Sequence, residues 1–175
     1  MDAKQAEHLS RVRHLREAFA AANEQLVTRL RGADDHAAHK TDGEGWSAAQ
    51  VGWHVAAVNT RFAALLAGDV PAAKPLDDSF VERPWQAIND ELPPKLQASA
   101  AAMPPPVVTR HDAIAMLEAS AVKMAQALDT LTPERGGKIG VTNALVGTIN
   151  LYQVGEWAAS HVLRHDRQAE QALAE

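Results

Sequence analysis

Apolar residues recur at steps of three and four along four stretches of the chain, with polar residues between them. This is the period of an α-helix with one buried face. The stretches run from about Ala3 to Arg31, from Ser47 to Ala67, from Thr109 to Leu131 and from about Thr148 to Ala172. The pattern therefore predicts four amphipathic helices. The stripe of the first helix consists of Leu9, Val12, Leu15, Phe19, Ala22, Leu26 and Leu30, and that of the second consists of Val51, His54, Val55, Val58, Phe62, Leu65 and Leu66. The stripe of the third consists of Ile114, Leu117, Ala121, Met124, Leu128 and Leu131, and that of the fourth consists of Leu151, Val154, Ala158, His161 and His165.

Residues typical of helix ends flank these stretches. Ser47 followed by Gln50 has the spacing of a capping box, in which each side chain binds a free backbone N–H at a helix start. Thr109 with Asp112 resembles another helix start, and Gly68 follows the second stretch as a C-terminal stop. These signals support the predicted boundaries of the second and third helices.

Three connections join the predicted helices. The first, Gly32 to Trp46, is polar, and the last, to about Gly147, contains Gly136-Gly137 and is expected to be a loop. Its Gly-Gly-Lys lacks the spacing of a phosphate-binding loop, so we interpret it as a turn. The middle connection, Gly68 to Val108, holds eight of the nine prolines, which excludes a long helix. A short helix is expected there around Trp85 to Asn89 or Lys95 to Met103.

The connections also suggest how the helices are ordered in space. Short connections make consecutive helices antiparallel, whereas the long proline-rich crossover lets the second and third helices run in the same direction. We therefore expect an all-α fold, a four-helix bundle with up-down-down-up order and its long crossover between helices 2 and 3. A chain of 175 residues has the size of one domain, so residues 1–175 are expected to form a single domain.

Composition restricts the class of function. The net charge is −5 and no cluster of Lys and Arg is evident, which argues against binding to nucleic acid. There are no cysteines, so a metal site would have to use His and carboxylate ligands. The N-terminal residues lack the apolar run of a signal peptide, and no stretch approaches about 18 apolar residues. The default expectation is a soluble cytoplasmic protein that does not insert into membranes.

Three histidines are the strongest candidates for chemistry. His161 and His165 are four residues apart, which places both imidazoles on one face of a helix. His54 lies on the apolar face of the second helix, seven residues after Ser47. In antiparallel helices its height, about 10 Å from the helix start, matches that of the pair, about 10 to 17 Å from the end of theirs. We therefore predict that the three hold one divalent metal ion, such as Zn, Ni, Fe or Co, with an open position for water or substrate.

Other readings of the histidines stay open. His54, His161 and His165 could instead be core residues satisfied by hydrogen bonds. The first connection could hold a second metal cluster, although solvated loops of this composition are common. Its candidate ligands are Asp34, Asp35, His36 and His39. His36 or His111 could serve the main site as an acid, a base or a fourth ligand, with Arg110 and Asp112 at the same pocket mouth. His8 and His14 are expected on the solvated surface.

Two segments resemble a known family. The sequence GWSAAQVGWHVAAVN, with Trp-Ser opening a helix and a histidine seven residues after the serine, and the sequence EWAASHVLRHDRQ are similar to segments of the DinB/YfiT-like superfamily. The resemblance implies an up-down-down-up bundle, often a homodimer, that binds a divalent metal through His54, His161 and His165. Superfamily members of known activity include thiol-dependent S-transferases and a mycothiol-dependent maleylpyruvate isomerase.

Three hypotheses of function follow. In the first, the three-histidine site makes the protein a metal-dependent enzyme of the thiol S-transferase or isomerase type, in which the metal activates a low-molecular-weight thiol or water toward a small-molecule substrate. No particular catalytic base is assigned. In the second, the chain is a non-catalytic stress-response protein that binds a metal or a small ligand. In the third, it is a helical scaffold whose histidines only pack in the core. The first helix or the tryptophans could supply a homodimer surface, although a monomer is equally compatible with them.

Overall fold

The computed structural model describes residues 2–41, 45–94 and 96–174, which are mostly helical. Four long helices and a small sheet account for most of the regular structure in these ranges. In chain order, the elements are α1 (Ala3–Gly32), α2 (Asp35–His39), α3 (Ala48–Ala67), β1 (Lys74–Pro75), α4 (Trp85–Asp90), a 3₁₀ turn (Ala100–Ala102), α5 (Arg110–Asp129), α6 (Pro133–Lys138), β2 (Ile139–Asn143), β3 (Gly147–Asn150) and α7 (Leu151–Ala174). Every described helix is too short or too polar to cross a lipid bilayer.

The predicted starts of α3 and α5 and the predicted end of α3 are confirmed, while α5 ends at Asp129, two residues before the predicted Leu131. Ser47 caps α3 in a reciprocal capping box with Gln50, and Thr109 caps α5 by accepting a hydrogen bond from the backbone N–H of Asp112. Gly68 ends α3 in the left-handed conformation, with φ of 86°, which favours glycine because other residues carry a Cβ. These local signals fix where α3 starts, and therefore the height at which His54 lies.

The four long helices pack around one core. α3 packs against α5 and α7, and α1 packs against the same two helices from the other side. Most residues of the predicted stripes are buried in this core, including Leu15, Leu117 and Leu128. One prediction at the start of α1 is wrong, because Leu9 is 49% exposed while the neighbouring His8 is buried. The buried face at this end of α1 is therefore rotated by one residue from the predicted stripe.

The described residues are mostly helical, as the predicted all-α fold requires, but they also form a small antiparallel sheet in the order β1-β2-β3, which was not expected. The segment expected to be a loop to about Gly147 forms α6 and the hairpin of β2 and β3 instead. The fourth long helix begins at Leu151 rather than near Thr148, which lies in β3. The pairing is close at Gly140, where a Cβ would clash with the Ile149 carbonyl and the Leu76 side chain. This glycine therefore reflects tight strand packing rather than an open turn.

The proline-rich crossover from α3 to α5 passes over the side of the α3–α7 pair. Its predicted short helix is confirmed as α4, which packs against α7. The alternative helix from Lys95 to Met103 is reduced to the 3₁₀ turn, and Lys95 itself lies outside the described residues. The 3₁₀ turn contacts α3, and this contact brings the crossover to His54.

Candidate metal centre

The structure brings together the three histidines that were predicted to share a metal. His54 projects from α3, and His161 and His165 project from α7 toward it. The ring centroid of His54 lies 5.3 Å from that of His161 and 4.6 Å from that of His165, and the last two are 4.4 Å apart. One ring nitrogen from each residue lies within 4.8 Å of the others. We call these residues the three-histidine cluster.

His54 is held by a backbone carbonyl. Its side chain is buried, and its Nδ1–H donates a hydrogen bond of 2.7 Å to the carbonyl oxygen of Ala102. The Trp46 ring covers it at a centroid distance of 4.8 Å. Because a carbonyl can only accept, the proton must be on Nδ1, and the lone pair is therefore on Nε2. A metal-binding histidine needs this arrangement, in which one nitrogen is fixed by a hydrogen bond and the other is free.

The two histidines of α7 differ in their partners. His165 Nδ1 lies 2.8 Å from Oε1 of Gln168, one turn further along α7, and donates to it. Nδ1 of His161 is buried and has no hydrogen-bond partner among the described residues. Phe62 packs against the His161 ring at a centroid distance of 6.1 Å, so an apolar surface borders it on that side. A buried ring nitrogen without a partner is costly and is a typical sign that an external partner belongs there.

The surroundings keep all three rings neutral. Burial lowers the pKa of His54, and it lowers the pKa of His165 to about 4, with a further contribution from the neighbouring His54, since two adjacent rings resist carrying a charge together. Burial also lowers the pKa of His161 well below its usual range, and the neighbouring His165 and His54 add to this effect. At neutral pH the cluster therefore presents imidazole lone pairs rather than protons, which is the form that binds metals.

The donor set fits a divalent transition metal. Imidazole nitrogen suits Zn, Ni, Fe and Co, and a metal–nitrogen bond of about 2.1 Å implies nitrogen pairs about 3.4 Å apart in a tetrahedral site. Nitrogens within 4.8 Å of one another reach that spacing by ring movements of about 1 Å or less. His161 and His165 are half-buried, so part of each residue is exposed to solvent.

The first connection does not form the second metal cluster that its composition allowed. Among the described residues, the three-histidine cluster is the one group of three or more His, Cys, Asp or Glu side chains close enough to share an ion. Asp34 instead caps α2, and Asp35 pairs with Arg110 at 2.7 Å. His36 and His39 are exposed on α2. The residues from 42 to 44 of this connection lie outside the described part of the chain.

The remaining histidines are not part of the centre. The side chain of His111 is 93% exposed, and neither it nor His36 joins the three-histidine cluster, so the structure does not support either as a fourth ligand. His14 is exposed, as expected. The prediction for His8 is wrong, because this residue is buried and its Nδ1 lies 2.7 Å from the hydroxyl oxygen of Tyr152.

Sequence reasoning missed the residues that orient the cluster. Gln168 could have been found, since it lies three residues after His165 on the same helical face. Trp46 is one of the tryptophans considered as a homodimer surface, and the sequence did not indicate that its ring covers His54. Ala102 had no signal at all, because its contribution is a backbone carbonyl, which any residue supplies. The parts of the site that side-chain chemistry defines were therefore found, and the backbone contribution was not.

Fold and site together define a class, a mostly helical protein with a three-histidine cluster between two of its long helices. Comparison with protein families gives the family itself: the model of the DinB superfamily matches residues 15–169. The chain therefore belongs to the DinB superfamily, which confirms the resemblance drawn from the two segments around the histidines. A search of curated proteins found no significant match.

Proposed function

We propose that His54, His161 and His165 bind one divalent transition metal ion and that the protein uses it in a metal-dependent reaction. The observation that most supports metal binding is that three neutral rings converge while a buried nitrogen of His161 has no partner among the described residues. Core histidines that serve only packing would be expected to have their buried nitrogens satisfied within the protein. Membership of the DinB superfamily, whose members bind metals, supports the same assignment.

We also propose the up-down-down-up order for the four long helices. Residue numbers rise together along the contacts between α1 and α7 and between α3 and α5, which favours parallel pairs. Along the contacts between α3 and α7 they change in opposite directions, which favours an antiparallel pair and explains why the three histidines lie at one height. The contacts between α1 and α7 are Arg11–Glu156 and Arg29–Asp166. Those between α3 and the α5 region are Asn59–Ser120 and Leu66–Thr130. Those between α3 and α7 are His54–His165 and Phe62–Trp157.

The proposed reaction is activation of a low-molecular-weight thiol or of water toward a small-molecule substrate. When bound, the ion would supply Lewis acidity, which lowers the pKa of a thiol or water beside it. The chain supplies the rest: His54 and His165 are oriented by their Nδ1 hydrogen bonds, and Trp46 and Phe62 pack against the rings of His54 and His161. Because the protein has no cysteine, a thiol would have to come from outside.

Metal binding is tested first by elemental analysis of protein that has been loaded with zinc and dialysed. We expect close to one ion per chain in the wild type and none in the double variant His161→Leu/His165→Leu. Wild-type protein that retains no ion after loading would contradict the proposal. His14→Leu, an exposed histidine away from the cluster, serves as the matched control and should retain the ion.

The reaction type is tested on cobalt-loaded protein. A thiol that binds at the metal produces a sulfur-to-cobalt absorption band, whereas water alone does not. We expect this band on titration with cysteine or a cysteine-containing low-molecular-weight thiol, together with metal-dependent consumption of the thiol by an electrophile. Metal binding without either signal would exclude activation of these thiols and leave two alternatives, activation of water and a non-catalytic metal-binding role.

A further inference from the structure

The proline-rich segment from Pro93 to Pro106, which we call the strap, depends on other elements to hold it in place. Lys95 within it lies outside the described residues. Five of its residues are prolines, which have no backbone N–H, so the segment cannot hold itself through a regular hydrogen-bond ladder. Its carbonyl oxygens remain available as acceptors. Within it, the 3₁₀ turn forms two backbone hydrogen bonds, from the Ala102 N–H to Ser99 and from the Met103 N–H to Ala100. Further donors come from the elements on which the strap lies.

Side chains of α3 and α7, the helices that carry the three-histidine cluster, supply these donors. At one end of the strap, Arg164 on α7 donates to the carbonyls of Pro93 and Pro94. At the other end, Gln50 on α3 donates to the carbonyls of Pro105 and Pro106. The bonds are Arg164 to Pro93 at 2.7 Å and to Pro94 at 2.6 Å, Gln50 to Pro105 at 3.0 Å and to Pro106 at 3.2 Å, and Arg61 to the Ser99 hydroxyl at 3.1 Å.

Between these two ends, the strap contacts the three-histidine cluster through Ala102. Ala102 is buried at 3% exposure, and its carbonyl accepts the Nδ1–H of His54 at 2.7 Å. This bond is the interaction that decides which nitrogen of His54 carries the proton. If the carbonyl moves away, the ring can place its proton on either nitrogen, and a part of the molecules loses the Nε2 lone pair.

We propose that Gln50 and Arg164 are positioning residues of the metal centre, which hold the strap so that the Ala102 carbonyl keeps His54 in its metal-binding tautomer. This inference rests on the proposed function, because it assigns a role at the same site. Neither residue belongs to the three-histidine cluster. Both act through the strap and one backbone oxygen.

At these positions, a change of charge and a loss of positioning are expected to change metal affinity in opposite directions, and this difference allows a clear test. Arg164 stands between His161 and His165 in sequence, and its positive charge contributes to the lowered pKa of both. A positive charge so placed repels a cation. If Arg164 were only a neighbouring charge, Arg164→Ala would tighten metal binding. If it is a positioning residue, the same variant weakens metal binding.

Gln50→Glu extends this logic to the other end of the strap. Oε1 of Gln50 accepts the Ser47 N–H in the capping box at 3.0 Å, and a glutamate keeps that acceptor. It loses the Nε2 donor that holds Pro105 and Pro106. Its added negative charge would favour a nearby cation, so a charge effect would again tighten binding. Arg167→Ala is the matched control, since Arg167 is exposed and, among the described residues, its Nε bonds to the Leu163 carbonyl of its own helix.

The experiment compares wild type, Gln50→Glu/Arg164→Ala and Arg167→Ala in two measurements. Nitrogen-15 NMR of the metal-free protein reports the tautomer of His54, and chelator competition reports the zinc dissociation constant. We expect one Nδ1–H tautomer in the wild type and the control. In the double variant we expect a mixture of tautomers and zinc binding weakened about 10- to 100-fold, the effect typical of losing an outer-shell partner. Circular dichroism and urea unfolding confirm that each variant is folded.

Zinc binding that is unchanged or tighter in the double variant, with His54 still in a single tautomer, would overturn the inference. The outcomes also separate it from the proposed function. If wild-type protein binds no zinc, the proposed function fails, but the tautomer of metal-free His54 still decides whether the strap orients the ring. If wild-type protein binds zinc and the double variant behaves identically, only the role of Gln50 and Arg164 is rejected.

Discussion

His165 and Asp166 are neighbours on α7, yet they lie in polar clusters of opposite kinds. Asp166 faces α1 and is 1% exposed. Its carboxylate accepts hydrogen bonds from Arg29 Nε at 2.7 Å, from a second Arg29 nitrogen at 2.9 Å and from Gln25 at 2.6 Å. His165 faces α3, where it meets two other neutral rings and where a ring nitrogen of His161 has no partner among the described residues.

The comparison separates buried polar groups that stabilise the fold from buried polar groups that form a candidate site. A buried carboxylate that is matched by a guanidinium and an amide is complete, and its removal is expected to cost stability. Three neutral rings that bring one nitrogen each within 4.8 Å of the others are incomplete, and an additional partner would satisfy them. One turn of α7 thus joins the helix to α1 on one side and presents a site on the other. The predictions below measure these two roles independently.

The largest effect is expected for Asp166→Asn. This variant removes the charge that Arg29 neutralises, and the free energy of unfolding of the metal-free protein should fall by about 3 kcal/mol. The value is at the low end for a buried pair because Arg29 is 22% exposed and retains Glu170. Urea unfolding gives the measurement. A loss below about 1 kcal/mol would show that this ion pair is not the structural element described here.

His161→Leu should show the opposite behaviour. Losing one of three ligands should weaken zinc binding by at least about 100-fold, the upper end of what an outer-shell partner contributes. The free energy of unfolding of the metal-free protein should stay the same or rise, because the unpaired Nδ1 is replaced by an apolar side chain. Chelator competition and urea unfolding measure the two quantities. Unchanged zinc affinity would remove His161 from the proposed ligand set, and His14→Leu is the control.

A smaller effect is expected when the pH of metal-free protein is lowered. The pKa of His165 is about 4 in the folded chain against an ordinary value of 6.5, so the unfolded chain takes up a proton first as the pH falls. The stability contributed by the neutral ring is present above pH 6.5 and is lost progressively toward pH 4. Between pH 7 and pH 5.5 this loss should be about 1 kcal/mol.

Urea unfolding at both pH values, for wild type and His165→Gln, isolates this contribution. The difference between the two proteins should change with pH, since the variant lacks the titrating ring. An identical pH dependence in both would mean that His165 does not lose a proton on folding.

The smallest effect is expected for Glu170→Gln, which removes the outer partner of Arg29. Glu170 lies 3.0 Å from Arg29, but its side chain is 59% exposed, so water screens the pair. The free energy of unfolding should fall by no more than about 0.5 kcal/mol. A loss comparable with that of Asp166→Asn would show that the whole network, rather than the buried carboxylate, joins α1 to α7.

Much of the helical framework could be predicted from the sequence because its signals are local. The stripe with Leu117 and Leu128 and the caps at Ser47 and Thr109 depend on residues within a few positions of one another. The spacing of His161 and His165 is local in the same sense, and the matched height of His54 follows once its helix is taken as antiparallel to theirs. The convergence of the three rings could therefore be expected before any coordinates.

The missed features depend on distant partners or short elements. The strands β2 and β3 have five and four residues and lie among glycines, where a loop is the simpler interpretation. His8 was placed at the surface because nothing near it in sequence indicates its partner, Tyr152. The Ala102 carbonyl reaches His54 only through the path of the crossover. In each case, the tertiary contact decides the outcome.

The most direct test of the central claim is anomalous X-ray diffraction from crystals loaded with zinc, measured on both sides of the zinc absorption edge. The account predicts one strong anomalous peak per chain, about 2.1 Å from a ring nitrogen of each of His54, His161 and His165. A fully loaded crystal with no peak between these rings, or with its peak bound to other side chains, would contradict it.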